Sequence, residues 1–155
     1  MTLARMLAAS SLRQPDATAI IDGERRLSYG DWQAEVWRLA GGLHSLGLRP
    51  GDHLVVVLSN RMETASLYWA CQILGVVFTP FNWRATAEEI AYVLTDAEAR
   101  VVAYEDRSAA AVLPAVAEVA LPAERLIRVE PEGDGLAFVD LAAAKPYDGP
   151  LREDD

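Results

Sequence analysis

Short aliphatic runs that alternate with segments of helical periodicity constrain this chain more than any other feature. Residues 53–58, 76–79, 100–104 and 125–129 are rich in β-branched residues and too short to be helices, as expected of strands covered on both faces. Between them the period changes. Ser28 with Asp31 forms a variant capping box, and Trp32, Val36, Leu39, Leu43 and Leu46 follow on one helical face until Gly47 ends the helix. Asn60 with Glu63 is read as the cap of a helix that runs to about Leu74 and closes at Gly75. Thr86 with Glu89 caps another to about Asp96, and an alanine-rich helix runs from about Ser108 to Ala117. The order β-α-β-α-β-α-β requires crossovers, which are right-handed when they join parallel strands. The fold class is therefore α/β: a mostly parallel sheet with helices on both faces.

An N-terminal layer precedes that alternation. Leu3, Met6, Leu7 and Leu12 fall near helical spacing before Pro15 and Asp16 stop the run. Residues 18–21 and 24–27 then read as a β-hairpin around Asp22-Gly23, a pair suited to a type I′ turn. After Val129, Pro and Gly punctuation and a shift in charge suggest a short helix near 136–144 and then a connector. The expected division is a βα subdomain over residues 1–129 and an acidic connector over residues 130–155.

Charge and composition exclude several classes. The net charge is −9, and much of it resides in Glu130, Glu132, Asp134, Asp140, Asp148, Glu153, Asp154 and Asp155, opposed within that stretch by Lys145 and Arg152 alone. A chain without a basic stripe is not built to release counterions from nucleic acid. No stretch approaches the roughly 20 apolar residues that would span a bilayer, so no transmembrane segment is expected. One cysteine, Cys71, forms no internal disulfide, and a reducing cytoplasm is the default location.

Familiar catalytic devices are missing from the sequence. Gly42 and Gly47 have the spacing of a phosphate-binding loop, but they fall inside a helix and are followed by Leu48-Arg49 instead of lysine and a hydroxyl residue. There is neither a GxGxxG fingerprint nor a GxSxG elbow. His44 and His53 are read as surface or satisfied histidines, Cys71 as a small buried hydrophobe, and the scatter of all three offers no metal-ligand spacing. No catalytic residue is expected within these 155 residues.

Ligands of an open parallel sheet gather at the carboxyl ends of its strands. The loops that matter are then Ser59-Asn60-Arg61, the stretch from Pro80 to Arg84, and Glu105-Asp106-Arg107. The middle one groups Phe81, Trp83 and Arg84. Two readings fit. The aromatic residues form a shelf beside a planar cation able to bind phosphate or carboxylate, or they fill a satellite core while Arg84 pairs with a nearby acid.

Taken in order, Pro15-Asp16-Ala17, Leu27-Ser28-Tyr29-Gly30-Asp31, Leu39-Ala40-Gly41-Gly42-Leu43, Leu46-Gly47-Leu48-Arg49-Pro50-Gly51-Asp52, Leu58-Ser59-Asn60, Gly75-Val76-Val77 and Pro80-Phe81-Asn82-Trp83-Arg84 resemble the opening of the AMP-forming adenylating enzymes. That superfamily includes acyl-CoA synthetases, peptide-synthetase adenylation domains and luciferases. The resemblance covers most of Pro15 to Val102; beyond that it rests on the order of strands and helices. It implies activation of a carboxylic acid with ATP and Mg2+ to an acyl-adenylate, then capture by a thiol, usually that of coenzyme A.

By the same resemblance the chain is about the first third of such an enzyme, inactive alone and not expected to bind these cofactors tightly. The ATP phosphate loop would begin near Arg152-Glu153-Asp154-Asp155. In some acid–CoA ligases the arginine of the N-x-R segment contacts a CoA phosphate, and Arg84 takes that place, with Trp83 where proline is frequent. The rival expectation is a noncatalytic interaction or regulatory module on the same scaffold. The acid, the thiol acceptor and the oligomeric state, including a homo-oligomer, stay open.

Overall fold

A computed structural model describes residues 3–151. In chain order the elements are α1 (Leu3–Arg13), β1 (Thr18–Asp22), β2 (Arg25–Ser28), α2 (Tyr29–Ser45), β3 (His53–Val57), α3 (Met62–Leu74), β4 (Val77–Pro80), α4 (Ala87–Asp96), β5 (Val101–Tyr104), α5 (Asp106–Glu118), β6 (Leu126–Arg128), β7 (Leu136–Ala137) and α6 (Phe138–Leu141). The strands β3 to β7 form one five-stranded sheet in the order β4-β3-β5-β6-β7, every neighbouring pair parallel. The expected α/β architecture, opened by an antiparallel β1-β2 hairpin, is present.

Alternation along the central strands divides the core in two. Leu54, Val56, Val101, Ala103 and Ile127 face α2 and α3, where they meet Leu39, Leu43 and Leu67. Val55, Val57, Val102 and Tyr104 face α4 and α5, where they meet Ile90, Leu94 and Val112. Each fully buried Leu, Ile or Val contributes about 1.5–3 kcal/mol of transfer free energy, so β3 and β5, covered on both sides, anchor the sheet. Ser28 accepts from the Asp31 backbone N–H at 3.1 Å, and Thr86 with Glu89 closes a reciprocal capping box, both as the residue types predict.

Several expectations are corrected. The hairpin loop is Gly23-Glu24, because Asp22 pairs with Arg25; only Gly23 is left-handed (φ +59), the pattern of a type II′ turn. Asn60 does not cap α3. Arg61 occupies the cap position without a side-chain bond, and the Asp22 carboxylate of the hairpin accepts the Met62 N–H at 2.9 Å instead. Glu63 is thereby released to pair with arginines. Strand β4 is not buried on both faces: it is the sheet edge, which is where Pro80 can be accommodated.

The sequence also conceals β7. Residues 129–135 carry the chain from β6 to its parallel neighbour without a helix. Tyr104 Oη donates to the Asp134 carbonyl at 2.6 Å, and the Arg128 guanidinium donates to the Pro131 and Gly135 carbonyls. Gly135 (φ +89) lies so close to Leu126 that a Cβ would come within 2.6 Å of its backbone oxygen. The following helix, α6, is shorter than the 136–144 expected, and the chain after it crosses α2. Tyr147 N–H donates to the Trp37 carbonyl at 2.9 Å and Arg38 Nε donates to the Ala142 carbonyl at 2.9 Å. Close approach here explains the paired glycines inside α2: a Cβ at Gly41 would stand 1.9 Å from the Lys145 oxygen, and one at Gly42 would stand 2.8 Å from the Leu141 oxygen.

Candidate functional site

The carboxyl ends of β3, β5 and β6 are tied together by one half-buried cation. Arg61, at the start of α3, donates from Nε to Glu63 at 2.8 Å and from Nη1 to Glu105 at 2.9 Å and Glu130 at 2.7 Å. Glu105 is 3% exposed and is satisfied further by the Ser59 N–H at 2.6 Å and the Ser59 hydroxyl at 3.2 Å. Glu130 uses its second oxygen to accept the Asp106 N–H at 3.0 Å. Glu63 also receives Arg25 of β2 at 2.7 Å. Burial alone would lower the Arg61 pKa, but the bonds to Glu130, Glu63 and Glu105 outweigh it and hold the guanidinium more firmly protonated than usual. Burial likewise works against ionised Glu63, yet Arg25 and Arg61 keep its carboxyl below the ordinary carboxylate range. Every charge in this network has a partner.

The loop after β4 is built differently. Asn82 Oδ1 accepts the Arg84 N–H at 3.0 Å, and the Asn82 carbonyl accepts the Ala85 N–H at 3.0 Å, forming a tight turn that ends in the Thr86 cap. Phe81 is half-buried against the α4–α5 core, as the satellite-core reading has it. Trp83 instead meets a cation. The Arg84 guanidinium carbon lies 4.0 Å from its ring centroid, and that of Arg107, from the first turn of α5, lies 5.8 Å away. Arg84 and Arg107 are exposed and form no ion pair among the described residues. Beside this stack a cavity of about 370 Å³ opens between Ser59, Asn60, Thr64, Asn82 and Trp83. A mixed aromatic and guanidinium surface of this kind suits a nucleotide phosphate or a carboxylate.

The remaining titratable candidates stand apart. His44 is exposed and packs edge-on to Tyr147 at 5.4 Å, on the far side of α2. His53 begins β3, at the amino end of the sheet, with Nδ1 3.0 Å from Thr79 Oγ1. Cys71 is fully buried, which pushes its thiol pKa well up and leaves it unreactive. Among the described residues no three His, Cys, Asp or Glu side chains are grouped to hold a metal ion. No helix among them is long and apolar enough to cross a membrane.

Sequence reasoning found the loops but missed the partnerships. Nothing in the local pattern couples Arg61 to Glu105 and Glu130, or Arg107 to Trp83, because each pair meets only when β5 and β6 are set beside β3. The available signal was a charged residue within four positions of the end of each strand: Arg61 after β3, Glu105 after β5 and Glu130 after β6.

Comparison with known proteins agrees with this architecture. A feruloyl-CoA synthase from Amycolatopsis sp. is 36% identical over 141 residues, 91% of this chain and 26% of that protein. The fatty acid–[acyl-carrier-protein] ligase ScoC of Streptomyces coeruleorubidus is 30% identical over 105 residues, 68% of this chain and 20% of that protein. Among solved structures, a benzoate CoA ligase from Burkholderia xenovorans LB400 superposes with a TM-score of 0.86 at 25% identity, covering 96% of this chain and 29% of the ligase. The chain thus spans about a quarter of the length of the curated relatives it matches. The model of the AMP-binding enzyme family matches residues 7–153, and the chain belongs to that family.

Proposed function

We propose that this chain is the N-terminal segment of an ATP-dependent, AMP-forming acid–CoA ligase, which activates a carboxylic acid as its acyl-adenylate and passes the acyl group to the thiol of coenzyme A. Residues 1–129 serve as scaffold, and residues 130–155, having added β7, lead towards the ATP phosphate loop. One observation carries the reading: within the AMP-binding enzyme family, Arg84 presents an exposed guanidinium with no carboxylate partner among the described residues, at the carboxyl edge of a parallel sheet. That cation fits a CoA phosphate.

The described residues do not fit the ATP triphosphate with Mg2+. They hold no glycine-rich loop with a lysine, and no cluster of metal-ligating side chains. No adenylation step is therefore assigned to them. Their part is to hold the thiol substrate's nucleotide and the edge on which the reaction is assembled. An aromatic carboxylic acid is the first substrate class to try, since the feruloyl and benzoate ligases act by name on such acids. The cytoplasm is the proposed compartment.

The test uses the polypeptide as its gene encodes it, assayed for acid-dependent ATP–pyrophosphate exchange and for CoA thioester formation. Arg84→Ala should raise the KM for CoA about tenfold, the effect of losing one charge-assisted contact, while exchange, which needs no thiol, proceeds. Equal loss in both assays makes Arg84 structural. Absence of exchange from the parent protein, with aromatic and fatty acids supplied, overturns the proposed function.

A further inference from the structure

From the make-up of its outward face we propose that α1 docks on an anionic lipid surface, held by shallow insertion of Met6 and Leu12 and by contact of Arg5 and Arg13 with lipid phosphates. The inference is independent of the anion site at the sheet edge and of the proposed reaction.

A surface helix ordinarily turns its apolar stripe towards the core. In α1 the larger share points out. At 3.6 residues per turn, Leu12, Arg5, Ala9, Arg13 and Met6 fall within one arc of about 120°, and Leu7 and Ser11 lie opposite. The inward side is slight: Leu7, 3% exposed, enters the core, and the Ser11 hydroxyl lies 3.0 Å from both the Leu7 and the Tyr29 carbonyl oxygens. On the outward side Leu12 is 83% exposed, Met6 is exposed as well, and the two line one apolar hollow together with Ala9. Leu3 extends the exposed apolar surface towards the amino end. Contiguous apolar surface of this kind marks a contact site.

Charge identifies what the face would meet. All 23 acids of the chain lie at or beyond Asp16, whereas α1 has two arginines and no acid. Both arginines are exposed, and Arg13 forms no ion pair among the described residues. A chain of net charge −9 therefore presents one helix face that is positive and apolar at once. A second copy suits that face poorly, because pairing α1 with α1 sets arginines against arginines.

A groove on a protein suits it poorly too. Arg5 and Arg13 lie within the arc and not at its borders, so a groove would bury them beside Met6 and Leu12 and each would need its own partner there. At a bilayer interface the phosphates stand at the depth the guanidiniums reach, while the apolar side chains enter the acyl boundary below. Two cations and two inserted side chains give a weak attachment, reversible and sensitive to salt.

The experiment sediments the polypeptide, as its gene encodes it, with vesicles of phosphatidylcholine alone or with one lipid in three replaced by phosphatidylglycerol. Leu12→Glu and Arg13→Gln are compared with Tyr92→Glu, a control at an exposed position of α4, and thermal unfolding checks each variant. Expected is retention on the phosphatidylglycerol vesicles alone, removed by about 0.5 M salt. Partitioning should fall about tenfold in Leu12→Glu and about fivefold in Arg13→Gln, with no change in Tyr92→Glu. Equal retention on both kinds of vesicle overturns the inference, as does retention that neither α1 variant alters, which would place the contact elsewhere. No retention of the folded parent overturns it as well; if light scattering then shows a dimer that Leu12→Glu dissociates, a second copy covers the face. Should Leu12→Glu fail to fold, Arg13→Gln decides alone. Acid-dependent ATP–pyrophosphate exchange in solution should be the same in all three variants, so a parent without exchange ends the proposed function and leaves the vesicle result standing.

Discussion

Truncating Arg61 removes the only cation among the described residues that joins the ends of β3, β5 and β6, and its cost can be worked out contact by contact. Its partners Glu63 and Glu105 are 7% and 4% exposed at the side chain, and Arg61 itself 23%, so these pairs are largely shielded from water. Removing one member of a buried pair costs about 3–5 kcal/mol, because the other charge is left uncompensated. The lower end applies here. Glu63 keeps Arg25, Glu105 keeps the Ser59 N–H and hydroxyl, and Glu130, 26% exposed, can turn to water. Arg61→Ala should therefore lose about 3 kcal/mol in urea denaturation at pH 7, equivalent to a fall of about 6–12 °C in Tm for a chain of this length. Adding Glu105→Gln should return at least about 1 kcal/mol relative to the sum of the single losses, since the neutral amide no longer needs the cation. A loss below about 1 kcal/mol, or strict additivity in the double variant, would show that the network is solvated and that the buried-pair reasoning is wrong.

Two further outcomes follow from the same coordinates. Gly41→Ala gains about 1 kcal/mol of helix propensity but sets a Cβ 1.9 Å from the Lys145 oxygen, so α2 must part from the segment bearing Tyr147; because the clash is with backbone, overpacking at the upper end of its range, about 2–3 kcal/mol, applies, and a net loss of about 1–2 kcal/mol is expected in denaturant titration, whereas any stabilisation refutes the contact. Glu63 titrates below its unfolded value of about 4.3, so between the two pKa values the unfolded state binds more protons and stability rises with pH. The Glu63 contribution is thus present above about pH 4.3 and lost as pH falls through the folded pKa; Glu63→Gln should flatten that acid limb, and an unchanged limb in denaturation curves from pH 6 to 3 would assign the acid sensitivity to other groups.

How much of this was legible in the sequence depends on whether the deciding contact is local. The Thr86–Glu89 box, the Gly75 cap and the mostly aliphatic β3 and β5 depend on neighbours within a few residues, and the structure has them as read. Asn60 failed as a cap because Asp22, 40 residues away, reaches the Met62 N–H first. Strand β7 was hidden for a similar reason: Leu136 and Ala137 are two ordinary apolar residues, and only the Tyr104 and Arg128 bonds to the preceding loop make them a strand. At the candidate site the loops were legible from the rule that ligands gather at strand carboxyl ends. Which arginine would be satisfied was not, because that is settled by residues arriving from β5 and β6.

That difference in satisfaction separates the two cationic features of the sheet edge. Arg61 and the Arg84–Arg107 pair stand at the ends of neighbouring strands, and by residue type they are equivalent. Arg61 is surrounded by three carboxylates at 2.7–2.9 Å, so an incoming anion would have to displace glutamates of which two, Glu63 and Glu105, are themselves buried. Its three ion pairs hold the edge together. The pair on Trp83 is exposed and has only a ring face to rest on, so an anion gains both charges without displacing anything.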